Sequence, residues 1–277
     1  MIKKTSLKKR GIEGGIGILI AFCLLPLLWL VDLSLKTQKE VSAIPPVWFH
    51  KSYFGNYFNF FFKREFVRYY FNSFFLATVS TVAAIALGSL MAYAFSRSKY
   101  RFKGSGTILF GILILRMFPP FSTIIPIYLA VRALGLMDTY IALWVVYVGL
   151  TIPLVVWMMR GFFTNIPEEL EDAAVIDGCS HLQMFLRIIL PLSVPGLLAC
   201  AIISFIWNWN EFLFALILTG SRVRTIPVLL STFSQDHIII WGEMATVGTL
   251  AITPVVVFGL LARKYLLKGL TFGGIKG

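Results

Sequence analysis

Charged side chains make up only 14% of this 277-residue chain, against 58% hydrophobic. Soluble domains run to about 45–50% apolar, so this deficit of charge, with a mean hydropathy of +0.82, points to lipid as the solvent. Cysteine is rare as well. Cys23, Cys179 and Cys200 are too few and too scattered for a disulfide framework, and free thiols are expected. The histidines His50, His181 and His237 fall at no metal-ligand spacing, so no metal site is expected. No G-x-x-x-x-G-K-[ST] segment occurs, which excludes that route to nucleotide phosphates. Paired carboxylates, histidine clusters and nucleophile–base spacings are missing too, which argues against an intramembrane enzyme. A net charge of +12 suits nucleic acid at first sight. The basic residues flank apolar runs instead of forming a stripe, so no nucleic-acid partner is expected.

What the chain does have is long apolar runs. A bilayer core of ~30 Å needs about 20 apolar residues in a helix. Six segments meet that length: Gly14–Leu35, Tyr70–Phe95, Thr107–Val131, Thr139–Arg160, Val194–Thr219 and Met244–Leu267. A spanning backbone must satisfy its own hydrogen bonds, so all six are expected to be helices of an all-α polytopic membrane protein, one transmembrane domain over 1–277. Pro26, Pro119, Pro120, Pro126, Pro153 and Pro254 interrupt them, as is tolerated inside a helical bundle. The basic N-terminus before Ile16–Leu35 resembles a signal peptide, but the run is long enough to span and has no convincing cleavage site, so an uncleaved first helix is expected. With the N-terminus inside, the cytoplasmic segments hold 15 Lys and Arg against nine outside, and the dense runs sit on one side. Both termini are therefore expected in the cytoplasm. The first outer loop, Lys36–Tyr69, is rich in Trp, Tyr and Phe, which suits either a packed interfacial cap or a docking surface for an extracytoplasmic partner.

The most informative polar stretch, about 161–193, lies between the fourth and fifth runs. Asn165 suits a cap, Pro167 a first turn, and Glu168, Glu169, Glu171 and Asp172 the positive end of a helix dipole. Ala173 to Ile176 continue the helix, Gly178 ends or bends it, and His181–Leu190 forms a second short helix stopped before Pro191. The expectation is an acidic helix–bend–helix hairpin on the cytoplasmic face.

Here the sequence resembles the MetI-like permeases of ABC importers, which share a loop read E-A-A, D-G, then I-x-L-P. Asp172-Ala173-Ala174, Asp177-Gly178 and Ile188-Ile189-Leu190-Pro191 stand at those places. Asp172 replaces the usual Glu and Cys179 the usual Ala, which shifts any salt bridge there or passes it to Glu171. Trp207-Asn208-Trp209-Asn210-Glu211-Phe212 and the tail Lys268–Gly277 resemble the carbohydrate-uptake branch, similar to maltose-type permeases, and the likeness covers essentially the whole chain. The resemblance implies a cell inner-membrane permease subunit for a sugar, half of a pore, with no ATPase site of its own. It implies a second homologous permease, a dimeric cytosolic ATPase carrying ATP and Mg, an extracytoplasmic solute-binding protein and no cofactor on this chain. Coupling to the ATPase would fall to Glu169, Glu171, Asp172, Ala173, Ala174, Asp177, Gly178 and Pro191. The tail residues Thr271, Phe272, Gly273 and Gly274 would reach the ATPase.

Polar groups inside a membrane are costly and need an explanation. Asn208 and Glu211, three apart, share a helix face, with Trp207 four before Glu211. Such residues either meet the sugar or bond neighbouring helices and hold a gate. Arg116, before Pro119-Pro120, either pairs with Glu211 or bonds carbonyls freed by the prolines. Asp32 is expected to be interfacial and solvated. An ABC permease for a peptide, polyamine or anion is the nearest alternative. A secondary carrier is a further one, but it leaves the acidic hairpin unexplained.

Overall fold

The structure is a computed structural model that describes residues 2–62, 64–97, 99, 103–233 and 240–271. Every regular element among them is a helix. In chain order α1 (Ile2–Ser34) precedes two short helices, α2 (Gln38–Val41) and α3 (Gly55–Phe62), and then α4 (Arg64–Ser96). Next come α5 (Ser105–Met117), α6 (Pro120–Ala133) and α7 (Tyr140–Thr164). The hairpin comprises α8 (Glu169–Ile176), α9 (His181–Met184), a π turn (Phe185–Ile189) and α10 (Leu190–Leu192). The chain continues through α11 (Val194–Trp209), α12 (Leu213–Leu218), α13 (Ile226–Thr232) and α14 (Trp241–Thr271).

Four spans, Glu13–Ser34, Glu65–Ser96, Tyr140–Thr164 and Trp241–Leu261, match the expected first, second, fourth and sixth runs. The other two expected spans are broken. The third is bent by 97° between α5 and α6. Each residue before a proline is driven to extended backbone, and both Phe118 (ψ 129°) and Pro119 (ψ 132°) obey, so the helix stops and restarts at Pro120. The fifth ends at Trp209 and resumes at Leu213, and it also bends by 78° from the hairpin about Ser193. The second hairpin helix was expected to stop before Pro191 but runs through it to Leu192. The π turn immediately before it loosens the hydrogen-bond ladder with which a proline would clash.

Within the single domain expected, contacts define two compact units, residues 1–68 with 229–254, and residues 69–228 with 255–277. In the larger unit, α7 carries two buried clusters. Tyr147 packs with Leu76, Phe214 and Leu218, and Phe163 and Met159 pack with Tyr93, Phe185 and Cys200. Lipid is as apolar as leucine, so such helices associate by close packing rather than by escape from water. Gly88 permits this, since a Cβ there would stand 2.7 Å from Val155. The second cluster includes Ala174, Met184 and Ile189, so the hairpin is rooted in the same core as the spans.

In the smaller unit, Asp32 is not merely solvated. Its carboxylate pairs with Lys36 Nζ at 2.6 Å and with His50 Nε2 at 2.9 Å. Asn56 Nδ2 donates to the carbonyls of Ser34, the last residue of α1, and of Lys36 just beyond it. Trp29 and Trp48 meet edge to face and Phe60 is buried, whereas Phe49 is 98% exposed. The aromatic loop thus packs as a cap while leaving an open aromatic face.

Candidate functional site

The hairpin owes its shape to local rules. Asn165 closes α7, donating Nδ2 to the Gly161 carbonyl at 2.9 Å, and does not cap α8 as expected. Glu168 takes the cap position of α8, and Glu169, Glu171 and Asp172 fill its first turn. Gly178 sits at φ +80°, where a side chain would be strained. The Cys179 N–H reaches the Ala174 carbonyl and the Gly178 N–H that of Val175, the two bonds of a Schellman cap. Ser180 and Gln183 then form a reciprocal capping box that starts α9.

One acidic residue is turned inward. Glu171 is fully buried, and its Oε1 accepts from Arg97 Nε at 2.5 Å while Oε2 meets Lys99 Nζ at 2.9 Å. Arg97, also buried, donates Nη1 to the Phe163 carbonyl at 2.7 Å and lies over the Tyr93 ring. Burial pushes the Glu171 pKa up, but bonds from Lys99 and Arg97 outweigh it and hold the carboxyl below its ordinary range. Arg97 and Lys99 are two of the 15 basic residues counted on the cytoplasmic side. No spacing rule links them to a residue over 70 positions away.

The opposite face is open. Glu169, Asp172, Ala173, Asp177, Gly178 and Pro191 are exposed, while Ala174 is buried beside Glu171. Around them stand Leu170, Val175, Leu182 and Ile176, the last 87% exposed. A helix with small residues, bare aliphatics and three exposed carboxylates, one of them within 3.8 Å of Lys99, suits a partner that brings apolar pockets and basic groups.

Inside the spans the polar residues separate. Asn208 is buried, accepting from Thr151 at 2.9 Å and donating to Thr81 at 3.2 Å, so it ties α4, α7 and α11 together. Glu211 accepts the backbone N–H groups of Phe214 at 2.8 Å and Ala215 at 3.1 Å, which ends one helix and caps α12. Arg116 does not pair with Glu211 among the described residues. Its guanidinium lies 4.6 Å from the centre of the Trp207 ring, and both side chains are exposed on the surface of the chain. Thr271 is the last described residue of α14, and Phe272, Gly273 and Gly274 lie outside the described residues.

The sequence assigned no site role to Asp138, held at φ +56° between α6 and α7. Its carboxylate accepts the N–H groups of Arg222 and Val223, and Asn72 Nδ2 donates to the Arg222 and Arg224 carbonyls. Burial raises the Asp138 pKa, but the backbone donors of Gly220, Val223 and Arg222 hold it below the usual carboxylate range.

A model of the binding-protein-dependent transport system inner membrane component matches residues 84–271, the stretch that holds both the hairpin and the broken spans. The chain belongs to that family. It is 36% identical over 264 residues to a trehalose/maltose transport system permease protein of Thermococcus litoralis, covering 94% of each. A trehalose transport system permease protein of Mycobacterium tuberculosis is 35% identical, with 94% of this chain and 95% of that protein covered. Among solved structures, a bacterial ABC transporter that imports the acidic polysaccharide alginate superposes with a TM-score of 0.79 at 22% identity, over 94% of this chain and 97% of that one. That likeness establishes the permease fold. The family and these relatives make the chain a multi-pass inner-membrane permease subunit of an ABC transporter.

Proposed function

We propose that this permease forms half of the translocation path of an ATP-driven importer for a sugar or oligosaccharide, with both termini and the hairpin in the cytoplasm. The observation that carries this reading is the open face of α8, where Ala173, Asp172 and Ile176 are offered to solvent while the helix is rooted from behind. The relatives named for trehalose and maltose support a sugar as the cargo. A second permease, a cytosolic ATPase pair holding ATP and Mg, and a solute-binding protein complete the assembly. A solved alginate transporter captured with its periplasmic protein supports the last of these. This chain holds no nucleotide itself; the partner's ATP cycle biases a two-state path.

Within the path, Trp207 and Arg116 are the side chains that meet the saccharide. An exposed charge in a span needs water or a partner, and an aromatic ring beside it offers a stacking plane for a sugar. Asn208 and Glu211 hold the helices that present them. Glu211, committed to backbone amides, is a poor proton-coupling group, which counts against a secondary carrier. The test is reconstitution with the second permease and ATPase, measuring ATP-dependent accumulation of labelled trehalose and maltose. Trp207→Ala is expected to raise the KM about tenfold, as befits the loss of ~1.4 kcal/mol of binding. Uptake that persists without ATP and collapses with the proton gradient would contradict the reading.

A further inference from the structure

We propose that Arg97 and Glu171 form a clamp that makes α8 move as one body with the ends of α4 and α7, turning a push on the hairpin into a movement of the spans. The proposal rests on the reading of the hairpin as the ATPase contact and adds how force leaves it.

Three elements converge on one guanidinium. Arg97 follows directly on α4, its Nε holds Glu171 of α8 and its Nη1 holds the Phe163 carbonyl in the last turn of α7. A guanidinium is planar and its donors are fixed in a fork, so these two bonds set the angle between the elements as well as their separation. Lys99 takes the remaining oxygen of Glu171, and Tyr93, Phe163 and Phe185 pack against one another beside it. The inner and outer duties fall on different faces of one short helix. Glu171 and Ala174, three apart, face in, while Asp172, Ala173 and Ile176 face out. A buried ion pair is a poor way to gain stability alone, because apolar residues of similar volume usually do as well. What an apolar pair cannot supply is directional attachment to both a carboxylate and a backbone carbonyl.

The direct test uses the assembled transporter in lipid, with Cys23, Cys179 and Cys200 replaced by Ser and spin labels at Thr164→Cys in α7 and Val175→Cys in α8. The distance between labels is measured without nucleotide and with Mg-ATP trapped on a hydrolysis-deficient ATPase. The clamp predicts a change below about 2 Å, whereas slippage by one helical turn, ~5 Å, overturns it. Arg97→Lys and the double variant Arg97→Met with Glu171→Leu supply the functional arm. The double variant removes both buried charges together, while Lys99, its side chain 30% exposed, keeps Asp172 at 3.8 Å, and the variant is expected to assemble. Both are expected to retain the ATPase and its hydrolysis while the sugar moved per ATP falls about tenfold. A wild-type ratio of transport to hydrolysis in both variants overturns the clamp. Failure of the unmodified chain to associate with an ATPase overturns the functional reading, and the proposal with it.

Discussion

Glu171 and Glu211 interrupt the same apolar chain, yet they are satisfied in opposite ways. Glu171 is met by two cationic side chains from the segment after α4, and the attachment joins elements distant in sequence. Glu211 is met chiefly by amides three and four residues ahead, with the Tyr147 side chain of α7 beside it, and the main result is local: one helix stops and α12 begins. A carboxylate among charges fastens helices to each other, while a carboxylate among amides reshapes its own strand of backbone. The first arrangement suits transmission of movement through the hairpin. The second suits a fixed break beside the surface where Arg116 and Trp207 lie.

The contrast is sharpest in stability. Glu171→Ala leaves Arg97 buried without its counter-charge and should cost about 3–5 kcal/mol, read as a fall in Tm of the purified chain in detergent. Acid should reproduce part of that loss. Burial raises the Glu171 pKa, but Lys99 and Arg97 hold it below the ordinary value of 4.5, so its contribution is complete above that value and disappears as pH falls through the lowered one. Tm should stay flat on this account from about pH 7 to about pH 5 and drop below that. Glu211→Ala should cost about 1–2 kcal/mol, the usual worth of a helix cap, and Glu211→Gln much less, because an amide oxygen still accepts. Equal losses for Ala and Gln would break the comparison. Asn208→Leu should cost about 1 kcal/mol, in line with interhelical hydrogen bonds in membranes. Asp172→Asn should fall within about 0.5 kcal/mol, since its side chain is 72% exposed and lies 3.8 Å from Lys99. A larger loss there than at Glu171 would reverse the assignment of inner and outer faces.

Much of the fold could be read from residues alone because lipid imposes a simple length rule, and four spans fall where apolar runs of about 20 residues stand. The hairpin was legible for the same kind of reason. Its helix dipole, its Gly178 terminus and its acidic first turn are local signals. Local signals also misled where two were in competition. Asn165 could cap either neighbour, and it closes the longer helix. Pro119-Pro120 marked an interruption, but not that the chain would turn by 97° there. Arg97 was out of reach, because pairing a cation with Glu171 needs the packing of α4 against α7. Glu211 invited a pathway role since a carboxylate in a span demands a partner. Its partners proved to be mainly its own backbone, with Tyr147 of α7 beside them, a choice made only once the helix breaks at Asn210.

The open face of α8 is proposed to receive a cytosolic ATPase, and one variant probes that contact alone. Ile176→Asp places a charge at the most exposed aliphatic residue of that face without touching Arg97, Glu171 or the core. Membranes carrying the variant and its partner permease would be purified through this chain, and the co-purifying ATPase and its ATP-dependent sugar uptake measured together. The account predicts normal amounts of the permease pair in the membrane, with ATPase recovery and uptake both reduced about tenfold or more, the scale of one interface anchor lost. Full recovery of the ATPase with unchanged uptake would contradict it.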